Sequence, residues 1–295
     1  MLCYLSYLHF FIQRNKIKLL DLITDAGISE IEVGSFVSDR PEVSSMHNTP
    51  EVFRRMNRKD GVVYRALLQS PVGAREAADS GCKKIKLNIS GSKKHYQLMT
   101  RKTVEQGMAG FKEIGAICAQ NNMTILGAIS LAFISPYDGL IPAEDVRGII
   151  QNFLDCGATE ISLNDTAGMA TPKLVYERFM EMRDAFPQVK TWAFHAHNTR
   201  GMAMANILAA CEAGVTQFDS SLAGVGGCTV FKNASGNIAT EDLLYMFDGI
   251  GTQTGVDMEK VIVAGEFVEE LVHHKGIDSY IQRLEKIKRE NAVIE

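Results

Sequence analysis

The chain is 295 residues long, with 46% hydrophobic and 22% charged residues, the proportions of a globular protein with material for a core rather than of a disordered or fibrous chain. Its 31 basic and 35 acidic residues leave a net charge of −4 with no long lysine or arginine run, which argues against a nucleic-acid partner and for a small one. Six cysteines, Cys3, Cys82, Cys118, Cys156, Cys211 and Cys228, form no C-x-x-C pair, so neither a disulfide framework nor a cysteine zinc site is indicated and a reducing, cytoplasmic setting is expected.

The chain opens on MLCYLSYLHFF, apolar but too short to span a bilayer and without a charged leader or cleavage site, so no membrane segment or targeting signal is expected there. After it, one phrase recurs four times: DAGISEIEV at Asp25, DSGCKKIKL at Asp79, DCGATEISL at Asp155 and EAGVTQFDS at Glu212. Each is an acidic residue and a small one, a glycine, then an apolar alternating run. This is a helix ending on a glycine in the left-handed conformation, followed at once by a strand. Further strand-like runs, VVYRALLQS from Val62, MTILGAISLAF from Met123 and TWAFHAH from Thr191, lie between these joints. Helical patterns, VEQGMAGFKEIGAICAQ and KLVYERFMEMRDAF, precede the last two. Strands are therefore predicted near residues 31, 62, 84, 123, 160, 191 and 217.

Strands alternating with helices give a parallel sheet with crossover helices. The expected fold is an α/β (β/α)8 barrel over residues 1–255, its first strand missing or replaced because residues 1–15 are atypical. An open doubly wound sheet is the alternative. Helices in 256–295, VDMEKVIVAGEFVEELVHHKG and SYIQRLEKIKREN, are expected to pack beside the barrel.

Active sites of such barrels sit at the C-terminal ends of the strands. There the sequence places polar groups where a core would take aliphatics: Glu32, Ser35, Asp165, His195 and His197. On a strand, His195 and His197 share one face and converge on one point. A solvated or core histidine pair is the competing reading. The loop GVGGCTVFKNASGN shifts the balance, because Gly224, Gly226 and Gly227 permit close backbone approach to a ligand and carry Cys228 and Asn237. Imidazoles with oxygen donors suit Mg, Mn or Zn in a non-structural site. Cys228 is either a small buried hydrophobe or a proton donor and acceptor. Lys93 and Lys94, just past a strand end, are either solvated or a grip for substrate phosphates.

EIEVGSFVS, EISLNDTAGMATP, FHAHNTRGMAMANILAACEAGV, DSSLAGVGGC and ASGNIATEDLLYMFDGIGTQTGVDMEKV together resemble hydroxymethylglutaryl-CoA lyase, within the larger group of metal-dependent barrel lyases and Claisen-type synthases. The likeness runs from about Lys16 to about Val268. It implies that His195, His197 and Asn237 bind a divalent cation, Mg or Mn, that Glu32 and Asp165 stand at the same mouth, and that Cys228 handles the proton of the acetyl-CoA carbanion. Ser35, Ser162, Lys93 and Lys94 become substrate contacts, and His195 a candidate base. The implied reaction is retro-Claisen cleavage of an acyl-CoA, hydroxymethylglutaryl-CoA, to acetyl-CoA and acetoacetate, as in leucine degradation and ketone-body formation, by a homodimer.

The family's first strand ends in R-D-G-L-Q-N, whose aspartate binds the metal and whose arginine stabilises the enolate. This sequence reads MLCYLSYLHFFIQRN there, leaving both roles vacant, a loss that typically costs orders of magnitude in rate. A misassigned start and an inactive or altered chain are the two accounts, and the intact downstream motifs favour the first. Asn198 stands where the lyase has aspartate and Thr229 where proline is common. Asn198 also occurs in the synthases that condense acetyl-CoA with a 2-oxo acid. Those synthases are the first competing reading, although they carry a C-terminal regulatory domain. Metal-dependent hydrolases, which place H-x-H on the first strand, are the second, and a non-catalytic relic is the third.

Overall fold

The computed structural model describes residues 13–36, 48–226, 230, 236–272 and 279–292. Seven parallel strands form one sheet in chain order: β1 (Glu30–Phe36), β2 (Val63–Leu68), β3 (Lys84–Ser90), β4 (Thr124–Ser130), β7 (Glu160–Asp165), β8 (Thr191–Ala196) and β9 (Gln217–Asp219). Each coincides with a predicted strand. The four helix-to-strand joints turn on Gly27, Gly81, Gly157 and Gly214, at φ +89°, +78°, +91° and +80°, where a side chain would strain the backbone.

Three features depart from expectation. A short antiparallel hairpin, β5 (Ile134–Ser135) with β6 (Gly139–Leu140), follows β4. The helix from Val104 breaks into Val104–Met108 and Phe111–Gln120, with Gly110 as the cap of the second. Residues 13–15, assigned to the atypical start, already begin a helix, Gln13–Asp25. The position expected for an eighth strand otherwise lies outside the described residues.

The sheet curls into a barrel rather than lying open. From β2 to β9 is five strand steps, about 24 Å if flat at ~4.8 Å per step. Yet Arg65 Nη2 on β2 donates to Asp219 Oδ1 on β9 at 3.1 Å. Only a closed curvature brings those two side chains together. On the outside, helices bury an apolar stripe against the strands. In Ala143–Asp155 the stripe is Val146, Ile149, Ile150 and Phe153, and Phe153 packs so closely on β4 that a Cβ at Gly127 would sit 2.4 Å from its ring. Helix Pro172–Ala185 presents Phe179 to Phe194 and Trp192 and Arg178 to the carbonyls of Ala132 and Ile141 at 2.9 and 2.7 Å, which ties the hairpin down.

The C-terminal helices close on the same body. Asp257 N donates to Ala26 O at 2.9 Å ahead of helix Met258–Val272, and Lys18 lies over the Phe267 ring at 4.3 Å. Asp242 accepts hydrogen bonds from Ser279 Oγ and from the amides of Tyr280 and Ile281, capping helix Tyr280–Ala292. Its neighbour Glu241, fully buried, accepts the Ala223 amide on both oxygens at 2.9 and 3.1 Å. Ala223 has φ +54° and stands at the base of the glycine loop.

Burial, aided by the Asp242 and Glu269 charges, pushes the Glu241 carboxyl up to about 8. The folded chain thus holds a proton that the unfolded chain releases near 4.5. Stability is therefore highest in acid and is lost as pH rises from that value through about 8, at about 1.4 kcal/mol per unit of pKa difference. Glu241→Gln, which mimics the neutral acid, should abolish this alkaline loss. Thermal midpoints of both proteins at pH 6 and pH 9 check it: parallel declines would show that Glu241 is not the group responsible.

Candidate active site

The barrel interior carries charge where aliphatic layers are usual. Arg65 on β2, fully buried, meets Glu30 at 2.6 Å, Glu32 at 3.3 Å and Asp219 at 3.1 Å. On β3, Lys84 bridges Glu30 and Glu160 at 2.9 and 2.6 Å, and Lys86 reaches Glu32 at 3.3 Å and Asp219 at 3.7 Å. Four carboxylates thus face three cations in this network. The Asp219 carboxyl is held far below the usual range by Arg65 and Lys86 despite its burial.

Asp219 is paired in register with His195, and its Oδ2 stands 3.4 Å from His195 Nδ1. A carboxylate at Nδ1 draws the imidazole proton to that side and leaves Nε2 with its lone pair outward. That Nε2 lies 3.0 Å from His197 Nε2. Both rings are buried. Burial first, and then the neighbouring His195, holds His197 well below its ordinary pKa, so it is a neutral donor. Asn237 completes the arrangement. It forms an isolated backbone bridge with His197, and its Nδ2 donates to Val225 O at 3.4 Å, so the atom able to ligate a cation is Oδ1. A Cβ at Gly226 would lie 2.5 Å from that amide, so only glycine lets the loop pass so near.

These donors fit a divalent cation. The two imidazole nitrogens lie 3.0 Å apart, close enough for one ion to be held by both. They are aimed at each other beside the Asp219 carboxylate. Among the described residues no three His, Cys, Asp or Glu side chains form a metal cage, and the backbone bridge to His197 brings Asn237 beside the two imidazoles.

The other predicted residues fall as follows. Glu32 and Ser35, three apart, should face opposite sides. A bulge between Glu32 and Gly34 shifts the register and returns both to the interior, because Glu32 pairs with Arg65 and Ser35 with Leu67. Ser35 Oγ is buried without a hydrogen-bond partner. Ser162 donates to Asn164 Oδ1 at 2.7 Å. Asn164, not Asp165, pairs with His195, so by alternation Asp165 turns away from that face and its two oxygens accept the amides of Met169 and Ala170 at 3.0 and 3.1 Å. Burial pushes the Asp165 carboxyl up to about 6 against the pull of those amides, Arg200 and His195. Lys93 and Lys94 are exposed at the head of helix Lys93–Thr100, with Lys93 Nζ 3.2 Å from Asp145. Cys228 lies outside the described residues.

Comparison with known proteins now identifies the scaffold. A family model described as HMGL-like matches residues 7–268. The chain belongs to that family. It is similar to the mitochondrial hydroxymethylglutaryl-CoA lyase of Macaca fascicularis, 36% identical over 264 residues, which is 88% of this chain and 79% of that protein. It is also similar to the cytoplasmic 3-hydroxy-3-methylglutaryl-CoA lyase of Mus musculus, 36% identical over 86% of this chain and 73% of that one. Among solved structures, the hydroxymethylglutaryl-CoA lyase of Pseudomonas aeruginosa superposes with a TM-score of 0.88 at 33% identity, covering 94% of this chain and 92% of that one. An HMG-CoA lyase of Acinetobacter baumannii in complex with coenzyme A and 3-methylmalate does so at 0.85 and 33%, covering 92% and 88%. No helix among the described residues is long and apolar enough to cross a membrane.

If Asp219 orients His195, Asp219→Asn should weaken Mn2+ binding by about 10–100-fold, the usual cost of losing an outer-shell carboxylate. It should also lower the thermal midpoint, since removing one member of a buried ion network costs about 3–5 kcal/mol. Calorimetric titration of the folded variant with Mn2+ reads the first effect apart from the second.

Proposed function

We propose that the chain is a carbon–carbon lyase that cleaves 3-hydroxy-3-methylglutaryl-CoA to acetyl-CoA and acetoacetate with a Mg or Mn ion held by His195, His197 and Asn237. The observation that carries this reading is the pair of buried imidazole nitrogens 3.0 Å apart, backed by Asp219 at the C-terminal end of the strands, within a family whose similar members are lyases of this substrate.

Bound there, a divalent cation would polarise the substrate's hydroxyl and carbonyl oxygens and stabilise the enolate as it forms. With Nε2 committed to that role, His195 is a ligand rather than the base. Asp165 turns away from His195 and clasps its own loop through the amides of Met169 and Ala170, so the hydroxyl proton passes to a solvent base. The hydroxyl oxygen becomes the ketone of acetoacetate as the C–C bond breaks, and the electron pair passes to the acetyl carbon. Cys228 delivers its thiol proton to that carbon. A proton returned from solvent restores the thiol and resets the site. Glu32, fixed by Arg65 and Lys86, keeps a negative wall beside the reacting group, and Ser35 offers a hydroxyl to the acyl chain.

A second reading is binding of the acyl-CoA without turnover. One assay separates the two. Protein loaded with Mg2+ or Mn2+ is incubated with 3-hydroxy-3-methylglutaryl-CoA and acetoacetate is measured. The lyase reading expects turnover that falls by at least about 100-fold in Cys228→Ser, the lower range for losing a proton-transfer group, and disappears in His197→Ala. Tight binding of the acyl-CoA with no acetoacetate would establish the second reading in its place.

A further inference from the structure

The helix Tyr280–Ala292 follows the residues that the family model matches and takes no part in the chemistry above. Gln282, on its first turn, is fully buried. The orientation of its amide is fixed, because Nε2 donates to Glu269 Oε1 at 2.7 Å and Lys286 pairs with the other oxygen of that carboxylate, which keeps Glu269 an acceptor. Gln282 Oε1 therefore points the other way. It is buried without a hydrogen-bond partner.

The group it meets is Glu241. A Cβ on Gly265 of helix Met258–Val272 would lie 2.3 Å from Gln282 Oε1 and 2.7 Å from Glu241 Oε1, so both oxygens use the one space that a glycine leaves open. Two oxygens brought together out of water need a proton between them, and a carboxamide oxygen has none to give. Glu241 has one, as the acid. It can donate from Oε1 to Gln282 while Oε2 still accepts the Ala223 amide at 3.1 Å. Burial raises this carboxyl to about 8, and the negative charges nearby, Asp242 on its own helix and Glu269 on the next, act in the same direction. Asp242 is taken up by Ser279 and the amides of Tyr280 and Ile281, and Glu269 by Lys286 and Gln282. From Glu241 the contacts lead on to the cation site. The amide of Ser221 donates to Ile238 O at 3.0 Å and that of Thr240 to Ser221 O at 2.9 Å, which joins the segments before and after the glycine loop. Glu241 clamps Ala223 to the same junction, and two residues on, Val225 O receives Asn237 Nδ2.

We propose that Gln282 is a positioning residue: by accepting the proton of Glu241 it fixes Ala223, and through Val225 it sets Asn237 for the cation. The terminal helix thus acts on the metal site without touching it. The assignment rests on the cation reading given above and adds to it a residue from outside the barrel.

The test is calorimetric titration of the full chain with Mn2+ at pH 7 and pH 9, well below the thermal midpoint of every variant, since the affinity of the folded protein does not follow a loss of stability alone. Gln282→Met, equal in length but without the acceptor, should weaken Mn2+ binding at pH 7 by about tenfold, the lower end of what a residue behind a ligand is worth. Gly265→Ala, which drives a methyl into the space that both oxygens use, should do the same. The parent at pH 9, where Glu241 has lost its proton, should bind about as weakly as Gln282→Met does at pH 7. Glu241→Gln, which keeps an N–H toward Gln282 and an oxygen toward Ala223, should hold its affinity across that range. Equal affinity in the parent and Gln282→Met, or parallel falls with pH in the parent and Glu241→Gln, would overturn the proposal while leaving the cation reading intact. Failure of the parent to bind Mn2+ at all would overturn both.

Discussion

The contact between Arg65 and Asp219 is the one on which the rest of the structure turns. It spans the barrel from β2 to β9, so it reports and holds the curvature of the sheet. The same carboxylate also stands against His195 Nδ1. Burying a guanidinium and a carboxylate is expensive unless each finds several partners. Arg65 has three carboxylates and Lys86 has two within 3.7 Å. A barrel filled with leucines would pack as well, but it could not place a fixed negative charge behind the His195 imidazole.

From that charged interior the site is assembled by small backbone devices rather than by long loops. The β1 bulge turns Ser35 back to the side of Glu32. The bridge between His197 and Asn237 brings a residue from beyond the glycine loop onto the end of β8. Glu241 grips the amide of Ala223, a non-glycine residue at positive φ, and so pins the point from which that loop departs. Each device fixes a backbone atom, and the side chains follow within the reach of one or two torsions. Geometry held this way costs little reorganisation when substrate arrives.

Much of the fold was legible because its signals are local. The four glycine joints mark helix ends by a steric rule that needs no partner, and the apolar runs after them became strands where expected. His195 and His197 were legible for the same reason, since H-x-H on a strand is a statement about one segment. Arg65, Lys86, Asp219 and Asn164 were passed over. A signal existed in the alternation of KKIKL and in the arginine interrupting VVYRALL, but its meaning depends on which strands face one another across a closed barrel. Asp165 illustrates the same limit in reverse. The motif placed it at the mouth, whereas alternation gives that face to Asn164, and the carboxylate clasps its own loop through Met169 and Ala170. The hairpin β5–β6 carries no periodic pattern in two-residue strands, and it stands because Arg178 reaches it from a helix far along the chain.

The two imidazoles are oriented by neighbours on several strands and by the segment beyond β9. His195 is positioned by Asp219 on β9, Asp219 by Arg65 on β2 and Lys86 on β3, and His197 by Asn237. Every member of that chain of contacts is a buried side chain or a backbone bridge between strand ends. A cation bound at this face would therefore meet two nitrogens already oriented. Preorganisation and completeness are separable properties of a metal site, because the first is fixed by packing and the second by donor count. In this barrel the packing term resides in the Arg65–Asp219–His195 line, which holds the imidazole nitrogens in place whatever number of oxygens joins them.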